Sequence, residues 1–392
     1  LLGDWRAWFA LVLLVVAVAA ALYPCLDNAL SRDDPGSTGL VSQSAGRYPP
    51  LANLCHTAEH ALWGADPRGY HLVSVALHTL NAGLVYLLTV VLAARARRAL
   101  RCGWPEHLGA LVAALLFGLH PLRVEAVAWA AQRGLHLSTL FLLLSVLLYA
   151  RGTGWRLASG CCYLLSLAAG PIGVPLPLVL FLLDWFPLPR VGATAQAPRP
   201  TAVKLAFLLL AAVALVFHED ARPPNAPTIR LTEHVFIGAW NAVTATWQTI
   251  WPETLLPLHE LTLPLDLTTP LYLGALAAVV VALVAAVACA RRAPGVTVGL
   301  AAYLLLVLPT VALLGDGTEE TADRFTYVPA AVLAMWTGCG LAWLAAARDD
   351  TRRVGAGTLL IAGAIAAGVL GVLTWRQCHT WRTPVTLWSD AL

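Results

Sequence analysis

Apolar runs of about 17 residues or more, separated by short polar clusters, recur along this chain from end to end. A hydrocarbon layer of about 30 Å is crossed by about 20 helical residues, so each run predicts a membrane-spanning helix. The pattern predicts about eleven crossings, near residues 7–23, 70–94, 107–119, 135–150, 156–169, 173–186, 203–217, 269–290, 296–314, 326–347 and 354–375. The first run lacks a small-residue cleavage site and is expected to be a retained anchor rather than a signal peptide. Two polar stretches, residues 24–69 and 218–268, are too long to be simple connections. In the first, Tyr48-Pro49-Pro50-Leu51, Leu54, His56, Glu59 and Leu62-Trp63 predict a helix lying along the membrane surface. In the second, Trp240, Trp247 and Trp251 recur at helical spacing, and tryptophan prefers the headgroup level. The expectation is an all-α polytopic membrane protein whose interfacial helices roof a cavity at the outer face.

Composition closes the alternatives. Hydrophobic residues make up 59% of the 392 and charged residues only 12%, against about a quarter in soluble domains, so lipid is the main solvent. Charge then supplies a direction, because Lys and Arg gather in cytoplasmic loops. With eleven crossings and the N-terminus inside, the cytoplasmic face collects fifteen of the 25 bases and five of the 22 acids. The other face carries the remaining acids, and both long loops lie on it. The net charge of +3 is therefore a topology signal, and bases scattered among short loops predict no nucleic-acid partner. The eight cysteines show no CxxC or Cys/His metal spacing. Cys161, Cys162, Cys289 and Cys339 fall in apolar runs, while Cys25, Cys55 and Cys378 face the outer side, where a disulfide is allowed and its pairing is open. The stretch Pro187 to Pro200 reads as a loose linker between two helical halves, and Trp381 to Leu392 as a helix that begins an array.

Charged groups near hydrocarbon are costly, so those at the outer ends of the runs are candidates for function. Asp33-Asp34 pairs two carboxylates that could act as a general base or hold a divalent cation; Asp-Asp-Pro-Gly is equally ordinary turn chemistry. His120-Pro121-Leu122-Arg123-Val124-Glu125, followed by Gln132-Arg133 and His136, fills a break between two apolar runs. Arg123 and Arg133 match phosphate geometry, and Glu125 could orient one of them or close an internal ion pair. Asp323-Arg324-Phe325-Thr326-Tyr327 opens a run, and an arginine at a helix N-terminus favours an anion there or snorkels to the interface. Among His56, His60, His71 and His78, the last two sit two turns apart on one helix face, too far for a zinc pair of the i, i+4 kind, and the set is expected to be buried and hydrogen-bonded.

These residues resemble bacterial relatives of the transmembrane-and-tetratricopeptide protein O-mannosyltransferases, which have the GT-C glycosyltransferase fold. The resemblance runs through Leu22-Tyr23-Pro24, Asp33-Asp34-Pro35, Pro50-Leu51, His56, Trp63-Gly64, Tyr70-His71-Leu72 and Leu77-His78. It continues through Leu119-His120-Pro121-Leu122, Glu125-Ala126-Val127-Ala128-Trp129, Arg133, Leu137-Ser138-Thr139 and Phe181-Leu182-Leu183-Asp184-Trp185-Phe186-Pro187-Leu188. Its most specific motifs are Ala322-Asp323-Arg324-Phe325-Thr326-Tyr327-Val328-Pro329 and Leu373-Thr374-Trp375-Arg376-Gln377.

The resemblance implies a GT-C-like module over residues 1–376 and the start of a tetratricopeptide region over 377–392. It implies an inverting transferase that moves a mannose-like sugar from a polyprenyl-phosphate carrier to a protein or other acceptor. The setting would be the outer, periplasmic side of a bacterial cytoplasmic membrane. Asp34, with Asp33, would be the base; Arg123, Arg133 and Arg324 would hold the carrier phosphate; His120, Glu125, His56, His71 and Tyr327 would support them; no metal ligand set is implied. Departures accompany the matches. Relatives tend to have Arg-Lys-Asp where this chain has Arg133-Gly134-Leu135, Ala-Lys-Pro where it has Ala169-Gly170-Pro171, and His at Arg123 and Pro49. The alternative is accordingly a catalytically inactive GT-C-like scaffold that binds the lipid carrier or envelope proteins.

Overall fold

The computed structural model describes residues 4–30, 49–99, 102–188, 200–220, 229–253, 255, 259–260, 266–314, 319–347 and 349–391. The chain runs through α1 (Trp5–Leu22), α2 (Pro50–Trp63), α3 (Pro67–Ala96), α4 (Trp104–Gly118) and the short α5 (Val124–Ala128). It continues through α6 (Arg133–Arg151), α7 (Arg156–Ala169), α8 (Leu176–Trp185), α9 (Pro200–Asp220), α10 (Leu231–Ile250), α11 (Pro270–Cys289) and α12 (Pro294–Val307). Last come α13 (Thr310–Leu314), α14 (Tyr327–Ala345), α15 (Asp350–Thr380) and α16 (Pro384–Ala391). A two-residue strand β1 (His259–Glu260) pairs antiparallel with β2 (Glu319–Thr321).

The protein is a multi-pass, all-α membrane protein. Among the described residues, seven stretches are long and apolar enough to cross a bilayer, those containing α1, α3, α6, α9, α11, α14 and α15. An eighth is broken: α4 and the segment Pro121–Ala128 meet at 56°. The remaining three expected crossings are helical but short, α7 with 14 residues, α8 with 10 and α12 with 14. At 1.5 Å per residue they span only about 15–21 Å, less than a hydrocarbon layer. The expected set of about eleven apolar helices is thus present, with seven long enough to span, one bent and three short. The shortening has a local cause in Gly170-Pro171 between α7 and α8 and Pro309 after α12, where proline removes a backbone donor.

Helix starts follow the sequence closely. Proline occupies the first turn of α2, α3, α4, α11 and α12, where its missing N–H has no partner to lose. Asp4, Asp66 and Asp349 cap α1, α3 and α15 by accepting N–H groups two residues on, at 3.0, 3.1 and 3.3 Å. α2 ends at Gly64, whose φ of 58° is open to glycine at little cost. The chain then doubles back so that the Trp63 ring covers Gly69, where any Cβ would lie 2.3 Å from it.

The bundle centres on α3, α4, α6 and α14, whose buried side chains include Val85, Tyr86, Phe117, Leu142 and Tyr327. α4 and α14 approach so closely that a Cβ on Gly109 would sit 2.4 Å from the Gly338 carbonyl, and one on Gly338 2.6 Å from that of Gly109. Small residues at such a crossing let backbones touch where lipid offers no hydrophobic drive.

Polar nodes close the two ends. At one end His107 lies between Tyr86 Oη (2.6 Å) and Asp4 Oδ2 (3.2 Å), Arg97 pairs with buried Glu106, and Lys204 meets Asp184 at 2.9 Å. The other, loop-rich end carries α2, α10 and the breaks around residues 120 and 323. α10 lies across it: Asn241 donates to Thr310 Oγ1 (2.8 Å), accepts from Thr321 Oγ1 (2.9 Å), and Tyr303 Oη donates to the Ala242 carbonyl (3.2 Å). Both surface helices expected in the long loops are therefore present as helices.

Candidate functional site

The loop end contains a continuous buried polar strip built where α4 and α14 break. After Gly118 the chain turns at His120, whose Nδ1 accepts the Leu122 N–H at 3.3 Å. Its Nε2 donates to the Thr249 carbonyl at the end of α10 (3.0 Å), fastening that helix over the break. The turn Pro121–Arg123 then aims Arg123 inward against the turn Asp323–Thr326 that precedes α14.

Arg123 is wholly buried. One terminal nitrogen donates to Thr326 Oγ1, and the guanidinium carbon lies 5.4 Å from the Tyr327 ring centre and 5.8 Å from that of Phe117. Its Nε and Nη1 have no hydrogen-bond partner among the described residues. Arg324 is held differently. Glu125 accepts its Nη1 at 2.5 Å and its backbone N–H at 2.7 Å, so the anion drawn to this helix start is the chain's own carboxylate. The Arg324 guanidinium also packs over Trp129 (5.2 Å) and Phe325 (5.1 Å). Buried Asp323 lies close enough to both arginines to interact with them, and its Oδ1 is unpartnered. With all four groups ionised the charges of Arg123, Arg324, Glu125 and Asp323 balance. What this strip offers an incoming anion is hydrogen-bond donors rather than net charge.

Tyr327 carries the strip onward. His78 Nε2 donates to the Gly118 carbonyl (3.1 Å), which leaves Nδ1 to accept the Tyr327 hydroxyl at 2.7 Å. The same hydroxyl accepts from Asn81 Nδ2 (3.2 Å), which also reaches the His136 carbonyl at 3.2 Å.

Along α3 from His78, toward its N-terminus, lies a second node. Glu59 of α2 receives Arg133 Nε at 2.8 Å on one oxygen and His56 Nδ1 at 3.2 Å on the other. Arg133 donates further to Ser74 Oγ (2.9 Å) and the Tyr70 carbonyl (2.8 Å). Both terminal nitrogens of Arg133 donate hydrogen bonds and its Nε is ion-paired to Glu59, so the guanidinium pins α2 to α3 and α6. His71 ties in the root of the first long loop by donating to the Asn28 carbonyl (3.1 Å).

The structure therefore brings Arg123, Arg324, Glu125 and Tyr327 together, sets Arg133 and His56 in a neighbouring node, and uses His120 and His71 as fasteners. Asp33 and Asp34 lie outside the described residues. Glu59, Asn81, Thr326 and His78 belong to the strip although the sequence did not single them out as partners. Glu59, His78 and Thr326 each stood within a motif the sequence offered, whereas Asn81 left no signal. Among the described residues no three His, Cys, Asp or Glu side chains gather as a metal site. An apolar groove of about 130 Å³, lined by Leu88, Leu142, Val179, Val298 and Met335 among others, lies apart from the strip and suits a hydrocarbon chain.

No protein-family model matches the chain. Protein O-mannosyl-transferase TMTC2 of Homo sapiens is 31% identical over 186 residues, 45% of this chain and 21% of that protein. Protein O-mannosyl-transferase Tmtc1 of Drosophila melanogaster is 36% identical over 126 residues, 32% of this chain and 13% of that one. The chain thus matches about a fifth or less of the length of these curated relatives. Among solved structures, the Archaeoglobus fulgidus oligosaccharyltransferase AglB in complex with an inhibitory peptide and a dolichol-phosphate aligns with a TM-score of 0.45 and 12% identity, over 96% of this chain and 56% of that one. ArnT from Cupriavidus metallidurans bound to undecaprenyl phosphate aligns with a TM-score of 0.40 and 15% identity, over 97% and 75%. In the matched stretches the chain is similar to the protein O-mannosyl-transferases.

Proposed function

We propose that this chain is the membrane module of a GT-C-type inverting glycosyltransferase that moves a mannose-like sugar from a polyprenyl-phosphate carrier to a hydroxyl of a protein. The reaction would take place at the loop end, facing outward from a bacterial cytoplasmic membrane. The observation that carries this reading is Arg123, buried with two unpartnered N–H donors beside the Arg324–Glu125 pair. A buried polar group without a partner costs about 1–3 kcal/mol, and phosphate oxygens would recover that cost. Similarity to the O-mannosyl-transferases supports the same chemistry.

In this mechanism Asp34, aided by Asp33, takes the proton of the acceptor hydroxyl. The freed oxygen attacks the anomeric carbon from the face opposite the phosphate, the bond from that carbon to the phosphate oxygen breaks, and the configuration inverts. The departing electron pair ends on the phosphate, where the free Arg123 donors stabilise it. Arg324, oriented by Glu125, lines the same strip, and Arg133 acts through position by fixing α2 over α3. The test is sugar transfer from a radiolabelled polyprenyl-phosphate mannose in membranes. Asp34→Ala is expected to abolish transfer, and Arg123→Gln to raise the donor KM about 10- to 100-fold, as expected for a lost charged hydrogen bond of about 1.5–3 kcal/mol. Unchanged transfer in Asp34→Ala removes Asp34 as the base.

One observation favours a second reading, a non-catalytic scaffold that keeps the lipid-binding strip. At Gly134, where relatives tend to carry Lys, a Cβ would meet the Ala169 carbonyl at 2.7 Å; the next residue, where they carry Asp, is buried Leu135. Backbone packing has closed the place of those charges. A chain that co-purifies with polyprenyl phosphate by native mass spectrometry yet transfers no sugar under any acceptor would support the scaffold.

A further inference from the structure

Cys25 and Cys378 stand 353 positions apart in sequence, and their Sγ atoms lie 3.0 Å from each other, both fully buried. Cys25 sits in the turn Tyr23–Asp27 that ends the first span, at the root of the loop bearing Asp33 and Asp34. Cys378 sits in the last turn of α15. The surrounding contacts hold the two backbones in register. Asn28 Nδ2 donates to the Cys378 carbonyl (3.2 Å), the Ala29 N–H donates to the Arg382 carbonyl (2.9 Å), and the Cys378 thiol faces the Ala21 carbonyl (3.9 Å). Of the three cysteines that charge sorting puts on the outer face, Cys55 is turned away toward Glu59.

We infer that Cys25 and Cys378 form a disulfide in the mature protein, fixing the root of the first outer loop to the end of the last span. Charge sorting places both at the face where the compartment is oxidising. The bond forms by thiol–disulfide exchange with a protein disulfide donor of that compartment. One cysteine thiolate attacks the donor's disulfide and expels one donor thiolate; the second cysteine then attacks the mixed disulfide and expels the other. Two thiol protons are released, two electrons pass to the donor, and the donor leaves as a dithiol.

The inference stands apart from any catalytic role, because it rests on the position of two side chains and on the charge-sorted orientation of the loops. The test is peptide mapping of protein extracted from native membranes with free thiols trapped by N-ethylmaleimide in SDS, before any reductant is added. The expected result is a cross-linked Cys25–Cys378 peptide that separates on reduction, with the other six cysteines alkylated throughout. Cys25→Ser is expected to make Cys378 alkylable without reduction, and Cys378→Ser to do the same for Cys25. Alkylation of both cysteines in unreduced wild-type protein overturns the inference, as does a bridge from either of them to Cys55. The wild-type map decides the matter even if a serine variant fails to fold.

Discussion

Removing the Glu125 carboxylate probes the strip at its most committed point. Glu125 and Arg324 have side chains only 1% and 6% exposed, and Glu125 accepts both the Arg324 guanidinium and its backbone N–H. Glu125→Ala removes from a buried guanidinium the carboxylate that accepts its hydrogen bond and leaves an N–H at the start of α14 without that acceptor. Breaking one side of a buried pair costs about 3–5 kcal/mol, more than either hydrogen bond alone, because the stranded charge stays out of water. At about 2 °C per kcal/mol, the value for large domains, the unfolding midpoint should fall on the order of 6–10 °C. Thermal unfolding in detergent, followed by the fraction still monodisperse on size exclusion, would read this. The double variant Glu125→Ala/Arg324→Ala should recover part of the loss, since neither charge then remains, with a coupling of about 1 kcal/mol or more. A single variant that melts no lower than a lipid-facing control, or a cycle with no coupling, would refute the view that these groups act as one buried unit.

Other parts of the structure give separate expectations. Gly338→Val should lower the midpoint by at least as much as an overpacked core, about 1–3 kcal/mol, whereas Gly340→Ala, with open space around it, should be neutral or stabilising; equal effects would remove the α4–α14 contact as the reason. Arg133→Ala should leave the bundle folded but free α2, seen as faster hydrogen exchange over residues 50–63 with α6 and α14 unchanged. Burial, reinforced by the neighbouring Glu59 carboxylate, pushes the Cys55 thiol up to about 11. At pH 8 the folded protein should thus react with maleimide at Cys55 roughly two orders of magnitude more slowly than an ordinary thiol near 8.5. The rate should climb as pH rises toward 11, and fast labelling at pH 8 would show the thiol to be exposed.

Helix positions were legible because each is a local property. Pro67, Pro270 and Pro294 open helices where the apolar runs begin, and all eleven runs are helical. Their spanning power was less legible, since α8 is apolar up to Asp184 near its end yet is cut to 10 residues by what surrounds Pro171 and Pro187. In the candidate site, Arg123, Glu125 and Arg324 declared themselves as charges at breaks in apolar runs. Which charge meets which did not, because Glu125 and Arg324 are 199 positions apart and a single sequence holds no register between them. The same limit hid the Glu59–Arg133 node, which assigns to structural work a guanidinium that phosphate geometry alone would make a donor ligand. Cys25 and Cys378 are the extreme case: composition named three candidates, and only packing chose two.

The two helices that touch at Gly109 and Gly338 are also the two whose loop-end extensions carry Arg123 and Arg324. They behave as blades of a pair of scissors. From rivet to tip, Gly109 to Gly118 and Gly338 to Tyr327, each arm measures about 14–16 Å at 1.5 Å per residue. Any side chain wedged into the rivet is magnified along those arms, so a methyl group added at the crossing, remote from the loops, would shift Arg123 and Arg324 without touching them. Substitution at this point should accordingly disturb the spacing of the arginine tips in addition to the stability that local overpacking costs.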